Sequence, residues 1–237
     1  MKLEIHKANT RGRADHGWLN SAHSFSFASY YNPSRIGFGK LRVLNDDIVT
    51  GGNGFGTHPH KDMEIVSIPL SGSLKHKDSE GNDAIISHGE VQIMSAGTGV
   101  FHSEYNNSET SDVNFLQIWI MPEKLGIKPR YDQKKFDADG RKNIFQTVVS
   151  PIGTNDSGVK INQQSYFSLI DLDSDKQATY KLKQKNHGVY VFLLEGRVDI
   201  ENNIIEKRDA IAIENKETIG LVAKTNSKVL VIEVPLS

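Results

Sequence analysis

Residues Gly54-Phe55-Gly56-Thr57-His58-Pro59-His60-Lys61-Asp62-Met63-Glu64-Ile65-Val66-Ser67-Ile68-Pro69-Leu70-Ser71-Gly72 decide the reading of the fold. A glycine-spaced approach leads into a His-Pro-His pair. Met63 to Leu70 is then mostly apolar and β-branched, and Ser71-Gly72 ends it, which is strand grammar closed by a turn. Downstream, Leu74, His76 and Asp78 alternate with Lys75 and Lys77, and Ser79-Glu80-Gly81-Asn82 marks a loop. Ala84-Ile85-Ile86 and Val91-Gln92-Ile93-Met94 read as short strands, and Phe115 to Met121 is another apolar run, stopped by Pro122. Short strands with frequent turns are the pattern of an all-β sandwich or barrel. Helical periodicity is weak, although Ile161 to Leu172 and Glu123 to Phe136 each leave room for a turn or two of helix.

The same grammar recurs. Ile68-Pro69-Leu70-Ser71-Gly72 matches Phe192-Leu193-Leu194-Glu195-Gly196 at an offset of 124 residues, which carries Leu74 onto Val198. Gly89-Glu90-Val91-Gln92-Ile93 resembles Asp209-Ala210-Ile211-Ala212-Ile213. The charged stretch from Pro122 to Lys142, with Gly126, Pro129 and Asp139-Gly140, reads as the connection. A duplicated β-barrel is expected, divided into residues 1–135 and 136–237.

Composition excludes several classes. The chain of 237 residues has 28 Lys+Arg against 29 Asp+Glu, a net charge of −1, so no overall field favours nucleic acid or an anionic membrane. Apolar residues make up 37%, an ordinary globular mix. There is no Cys, hence no disulfide, thiolate nucleophile or Cys-based metal site. The longest apolar run, Val189 to Leu194, is far short of a membrane span. With no signal-like apolar stretch after Met1, a cytoplasmic location is the expectation.

Nine His are placed unevenly, and only His187 lies beyond His102. His58-Pro59-His60 and His102-Ser103-Glu104 each follow a glycine cluster. Residues two apart on a strand share a face, roughly 6.6 Å apart along the chain. Two such pairs on neighbouring strands can enclose a divalent ion, which imidazole and carboxylate reach at about 2.0–2.2 Å. Burying these groups without a cation leaves them poorly solvated. A lone His on a strand is more often a hydrogen-bonded core or surface residue, and His6, His16, His76 and His88 take that reading. At the same offset in the second half, His58 and His60 become Leu182 and Gln184, so no second site is expected there.

The chain resembles a cupin, and within the cupins a bacterial pirin. The resemblance rests on Asp15-His16-Gly17-Trp18-Leu19, His23-Ser24-Phe25-Ser26-Phe27, Gly54 to Glu64, Met94-Ser95-Ala96-Gly97-Thr98-Gly99, and His102-Ser103-Glu104-Tyr105-Asn106. Gly72 and His102 fall one and two positions later than the general cupin pattern, and Ser95 stands where Pro is usual. Glu64 fits the general pattern and Glu104 the pirin one. The resemblance implies two tandem cupin barrels (a bicupin of double-stranded β-helix, jelly-roll type). It implies one divalent transition metal held by His58, His60, His102 and Glu104, with Glu64 as a core or supporting residue. Iron is the metal implied; nickel, copper, cobalt, manganese and zinc also suit the ligand set. Open coordination positions would accept a substrate. The implied activity is quercetin 2,3-dioxygenase, with a flavonol-like substrate, O2, release of CO and Glu104 as general base. Phe55 and Phe101, next to the ligand strands, are the expected pocket residues. Trp18, Phe25, Phe27, Tyr30 and Tyr31 are expected mainly to pack the barrel. The alternative implied by the resemblance is a non-enzymatic, redox-responsive regulator acting through a protein partner.

Overall fold

The computed structural model describes residues 1–237. Its first-half strands are β1 (Lys2–His6), β2 (Gly12–Asp15), β3 (Leu19–His23), β4 (Leu41–Val49), β5 (Gly54–His60), β6 (Glu64–Ser71), β7 (Ser73–Asp78), β8 (Asp83–Ser87), β9 (Glu90–Ser95), β10 (Val100–Asn106), β11 (Val113–Ile120) and β12 (Arg130–Lys135). The second half has β13 (Gln146–Pro151), β14 (Val159–Ile161), β15 (Tyr166–Leu172), β16 (Gln177–Lys181), β17 (His187–Glu195), β18 (Arg197–Ile200), β19 (Asn203–Glu206), β20 (Ala210–Glu214), β21 (Thr218–Ala223) and β22 (Ser227–Pro235). Two single 3₁₀ turns, Ala8–Thr10 and Ala138–Arg141, are the only helical pieces. No helix is long and apolar enough to cross a membrane.

The expected all-β bicupin is what the chain forms. Each barrel has a seven-stranded and a four-stranded sheet. The orders are β12-β9-β6-β11-β4-β3-β2 with β5-β10-β7-β8, and β1-β20-β17-β22-β15-β13-β14 with β16-β21-β18-β19. The duplication read from Gly72 and Gly196 is exact in topology around the hairpins they close: β6 and β7 correspond to β17 and β18. Both glycines take positive φ, +71° and +90°, which a turn this tight asks of a residue without Cβ.

One expectation fails. The spans given room for helix hold β12 and β15 instead. Tyr166–Leu172 is buried at six of its seven positions, so both faces are apolar and the period-2 signal is lost. β1 reaches across the chain: it pairs with β20, from Lys2 opposite Glu214 to His6 opposite Ala210. It takes there the place that β12 takes beside β9.

Residue parity along the central strands explains what each barrel holds. Leu116, Ile118 and Ile120 on β11, with Tyr190, Phe192 and Leu194 on β17, enter one 26-residue core shared by the two large sheets. The opposite parity faces each barrel's interior. In the second barrel those positions are apolar (Val189, Val191, Leu193, Val229, Val231) and belong to a 16-residue cluster that fills it. In the first they are Asn45, Asp47, Ser67, Gln117 and Trp119, and the interior stays hollow. Glu64 ties the barrels together. It accepts hydrogen bonds from the Ser95 hydroxyl (2.9 Å) and the Asn162 backbone N–H (3.0 Å).

Because the largest core is shared, Phe192→Ala should cost about 3–5 kcal/mol. Urea unfolding followed by fluorescence and by circular dichroism should keep one common transition at a lower midpoint. Two separated transitions would contradict a shared core.

Candidate metal centre

The site is made by the antiparallel pairing of β10 with β5 and β7. His102 lies opposite His58 and Val100 opposite His60, but Glu104 lies opposite Phe55, so β5 carries one extra residue at Gly56-Thr57. This bulge resets the alternation. Phe55 comes onto the same side as His58 and His60, all facing His102 and Glu104. A Cβ on Gly54 would run into the backbone of Glu104 and Tyr105, so only glycine lets the two strands close here. On the other flank, β7 sets Asp78 opposite His102 and His76 opposite Glu104.

Three of the four expected ligands meet. The imidazole centroids of His58, His60 and His102 lie 4.5–4.9 Å apart, and one donor nitrogen from each lies within 4.8 Å of the others. Glu104 does not join that trio; it falls in an overlapping group with His102 and His76. Its carboxylate accepts from the Ser67 hydroxyl (3.0 Å) and the Gln117 amide (2.6 Å).

Hydrogen bonds show which nitrogens are free. His58 Nδ1–H donates to the Gly56 carbonyl at 2.8 Å, leaving Nε2 with its lone pair. His102 Nε2 is buried and has no partner. Behind it His76, fully buried, pairs through Nε2 with Asp78 at 3.1 Å, and its Nδ1 lies 3.5 Å from His102 Nδ1. With Nε2–H given to Asp78, His76 Nδ1 is an acceptor for the His102 N–H, which directs the free lone pair of His102 toward His58 and His60. An orphaned buried nitrogen aimed at two further imidazoles fits a divalent cation. The His76–Asp78 pair behind it is the kind of support that orients a metal-binding imidazole.

Burial, then the neighbouring His102 and His58, lowers the His60 pKa to about 4. Burial, then His58 and His76, lowers that of His102 to about 3. Both are therefore neutral imidazoles at physiological pH. Burial alone would raise Asp78, but hydrogen bonds from His76 and Asn82 outweigh it and hold its pKa below the ordinary value.

The trio opens on a cavity of about 240 Å³ inside the first barrel, whose wall includes Phe27, Phe55 and Trp119 beside His58, His60 and Glu104. Phe55 lines it as expected, braced edge-on by Trp18 at 5.3 Å. Phe101 does not: it is 56% exposed on the outer face of β10. One residue from His102 on an unbroken strand, it must point the other way. Sequence reasoning missed His76 and Asp78, although a His-x-Asp on an alternating strand placed both on one face. A smaller hollow of about 60 Å³ lies at the seam between barrels. There Arg141 and Lys228 are already paired with Asp171 and Glu195.

Residues 4–120 match the family model described as Pirin, and residues 147–234 match one described as the quercetinase C-terminal cupin domain. A quercetin 2,3-dioxygenase of Escherichia coli K12 is 45% identical over 233 residues, covering 98% of this chain and 99% of the relative. The chain belongs to the pirin family. A pirin-like protein of Caulobacter vibrioides is 35% identical over 94% of this pirin and 95% of its own length. The crystal structure of the bacterial pirin YhhW of E. coli in complex with nickel(II) matches with a TM-score of 0.93 and 42% identity, over the whole of both chains. With a relative of that name matched end to end, this pirin is an enzyme of the oxidoreductase class.

The unfolded chain takes up protons on His near pH 6.5, whereas the folded state keeps His60 and His102 neutral to far lower pH. Their contribution to stability is thus present above about pH 6.5 and is lost as pH falls toward 4. In metal-free protein, the ring resonances of these two residues should not titrate between about pH 8 and pH 5.5 by proton NMR. Ordinary titration near 6.5 would contradict the packed trio.

Proposed function

We propose that this pirin is a metal-dependent dioxygenase that cleaves a flavonol such as quercetin, incorporating both atoms of O2 and releasing one carbon as CO. We assign the metal to His58, His60, His102 and Glu104. Of the metals this donor set accepts we take iron, on the family resemblance; nickel, copper, cobalt, manganese and zinc are the alternatives that metal analysis separates. The observation that carries the reading is the unpartnered, buried Nε2 of His102, on a ring packed against the imidazoles of His58 and His60, which line an aromatic-walled cavity. The family relatives support the chemistry.

A bound divalent ion would supply the positive charge that makes a chelated enolic hydroxyl acidic at neutral pH. The chain's own residues do the rest. Glu104, 2% exposed and held by Ser67 and Gln117, is placed to take the hydroxyl proton. Phe55 and Trp119 give flat apolar surface for a planar ring, and the barrel wall keeps bulk water from it. The second barrel, filled by its own apolar cluster, packs against the first through the shared core.

Protein loaded with Fe, Ni, Co, Mn or Cu should consume O2 and release CO with quercetin; silence with every metal would sink the reading. His58→Ala and Glu104→Ala should each lose metal or activity. Asp78→Asn, which disturbs the support of His102 through His76 and also the hydrogen bonds that close the loop to Asn82, should weaken metal affinity by about 10–100-fold in calorimetric titration.

A further inference from the structure

The cavity has a polar wall on the large sheet, away from the His trio. Ser21 and Asp47 are cross-strand partners on β3 and β4, as are His23 and Asn45. Most polar groups there are already engaged. Each Glu104 oxygen accepts one hydrogen bond, from Ser67 or Gln117, and the Asn45 side-chain oxygen is paired with His23 at 3.0 Å. Two groups on this wall are exceptions: the indole N–H of Trp119, buried without a partner, and Asp47. Asp47 is 4% exposed, and its one side-chain hydrogen bond is from the Ser21 hydroxyl to Oδ1. Oδ2 has no partner. No lysine or arginine lines the cavity to neutralise it. Burial raises this carboxyl to about 7, with the Ser21 hydrogen bond opposing and the charges of Asp46 and Glu104 adding to the rise.

A buried carboxyl facing a cavity without a cation or a second donor is costly unless an occupant supplies the donor. We infer that Asp47 is a substrate-binding residue that accepts a hydrogen bond, through Oδ2, from a phenolic hydroxyl remote from the metal-chelating end of the substrate. The site therefore selects hydroxylated planar aromatics over bare ones. Phe27, Phe55 and Trp119 hold the apolar body, while Asp47, positioned by Ser21, reads the hydroxyl. This rests on the flavonol reading and adds which part of the flavonol is recognised.

The test compares quercetin with 3-hydroxyflavone, which keeps the chelating hydroxyl and carbonyl but lacks the remote hydroxyls. Binding is read by quenching of tryptophan fluorescence, since Trp119 lines the cavity, in metal-free and metal-loaded protein; KM and kcat are read in the loaded protein. The wild type should prefer quercetin in Kd and KM by at least about tenfold, the scale of a hydrogen bond to a charged group. Asp47→Ala should remove that preference by weakening quercetin at least about tenfold more than 3-hydroxyflavone, in both Kd and KM. Asp47→Asn, which keeps the shape and an acceptor oxygen, should keep part of it, and it carries the test alone if the alanine variant does not fold. Preference unchanged in both variants, or both ligands weakened equally, overturns the role of Asp47 while the flavonol reading stands. Failure of the wild type to bind either flavonol overturns the flavonol reading and the role of Asp47 with it.

Discussion

One extra residue in β5 governs the chemistry of this molecule. Strand alternation alone would place Phe55 and His58 on opposite faces of the sheet. The bulge at Gly56-Thr57 removes that conflict, so a ring and two imidazoles look into the same hollow across from His102 and Glu104. The neighbouring glycine at 54 lets β5 lie against β10 closely enough for the pairing to hold. The cavity, the orphaned nitrogen and the carboxylate held by Ser67 and Gln117 all depend on this local register.

The two barrels share a strand plan and differ in what they enclose. In the first, interior positions are polar or aromatic, and several polar atoms are left facing space. In the second, valine and leucine fill the same positions. Its most deeply buried carboxylate, Glu233, is satisfied internally by Tyr180, His187 and the backbone N–H groups of Lys183 and Gln184. Gln184 is where the offset of 124 residues carries His60. Where the first barrel has His60, the second has a backbone donor to a buried carboxylate.

Much of this was legible in the sequence. Turn spacing and the recurring glycine-ended strand give the doubled barrel, and the glycine-led His pair and the later His-x-Glu give the site. What escaped needed pairing information. His76 looked like a solitary strand histidine because its relation to His102 exists only once β7 and β10 are side by side. The polar interior row was hidden in plain view: Asn45, Asp47, Ser67 and Gln117 interrupt otherwise apolar strands at inward parity. The placing of Phe101 in the pocket ignored the period-2 rule that made His102 and Glu104 neighbours. The helical turn expected near Ile161 came from a strand buried on both faces, where alternation vanishes; the span after Glu123 holds a polar strand with no buried position to mark its period.

The place of β1 has a bearing on synthesis. β1 is made well before the other members of the sheet it completes, so it must wait for most of the chain before it finds β20. Contacts so distant in sequence make closure of the second barrel a late and slow event. Until then the unpaired edge of β20 is open to strands of other molecules. A nascent chain interrupted between the two barrels would carry a nearly complete histidine-lined cavity together with a strand, β1, that has nothing to pair with.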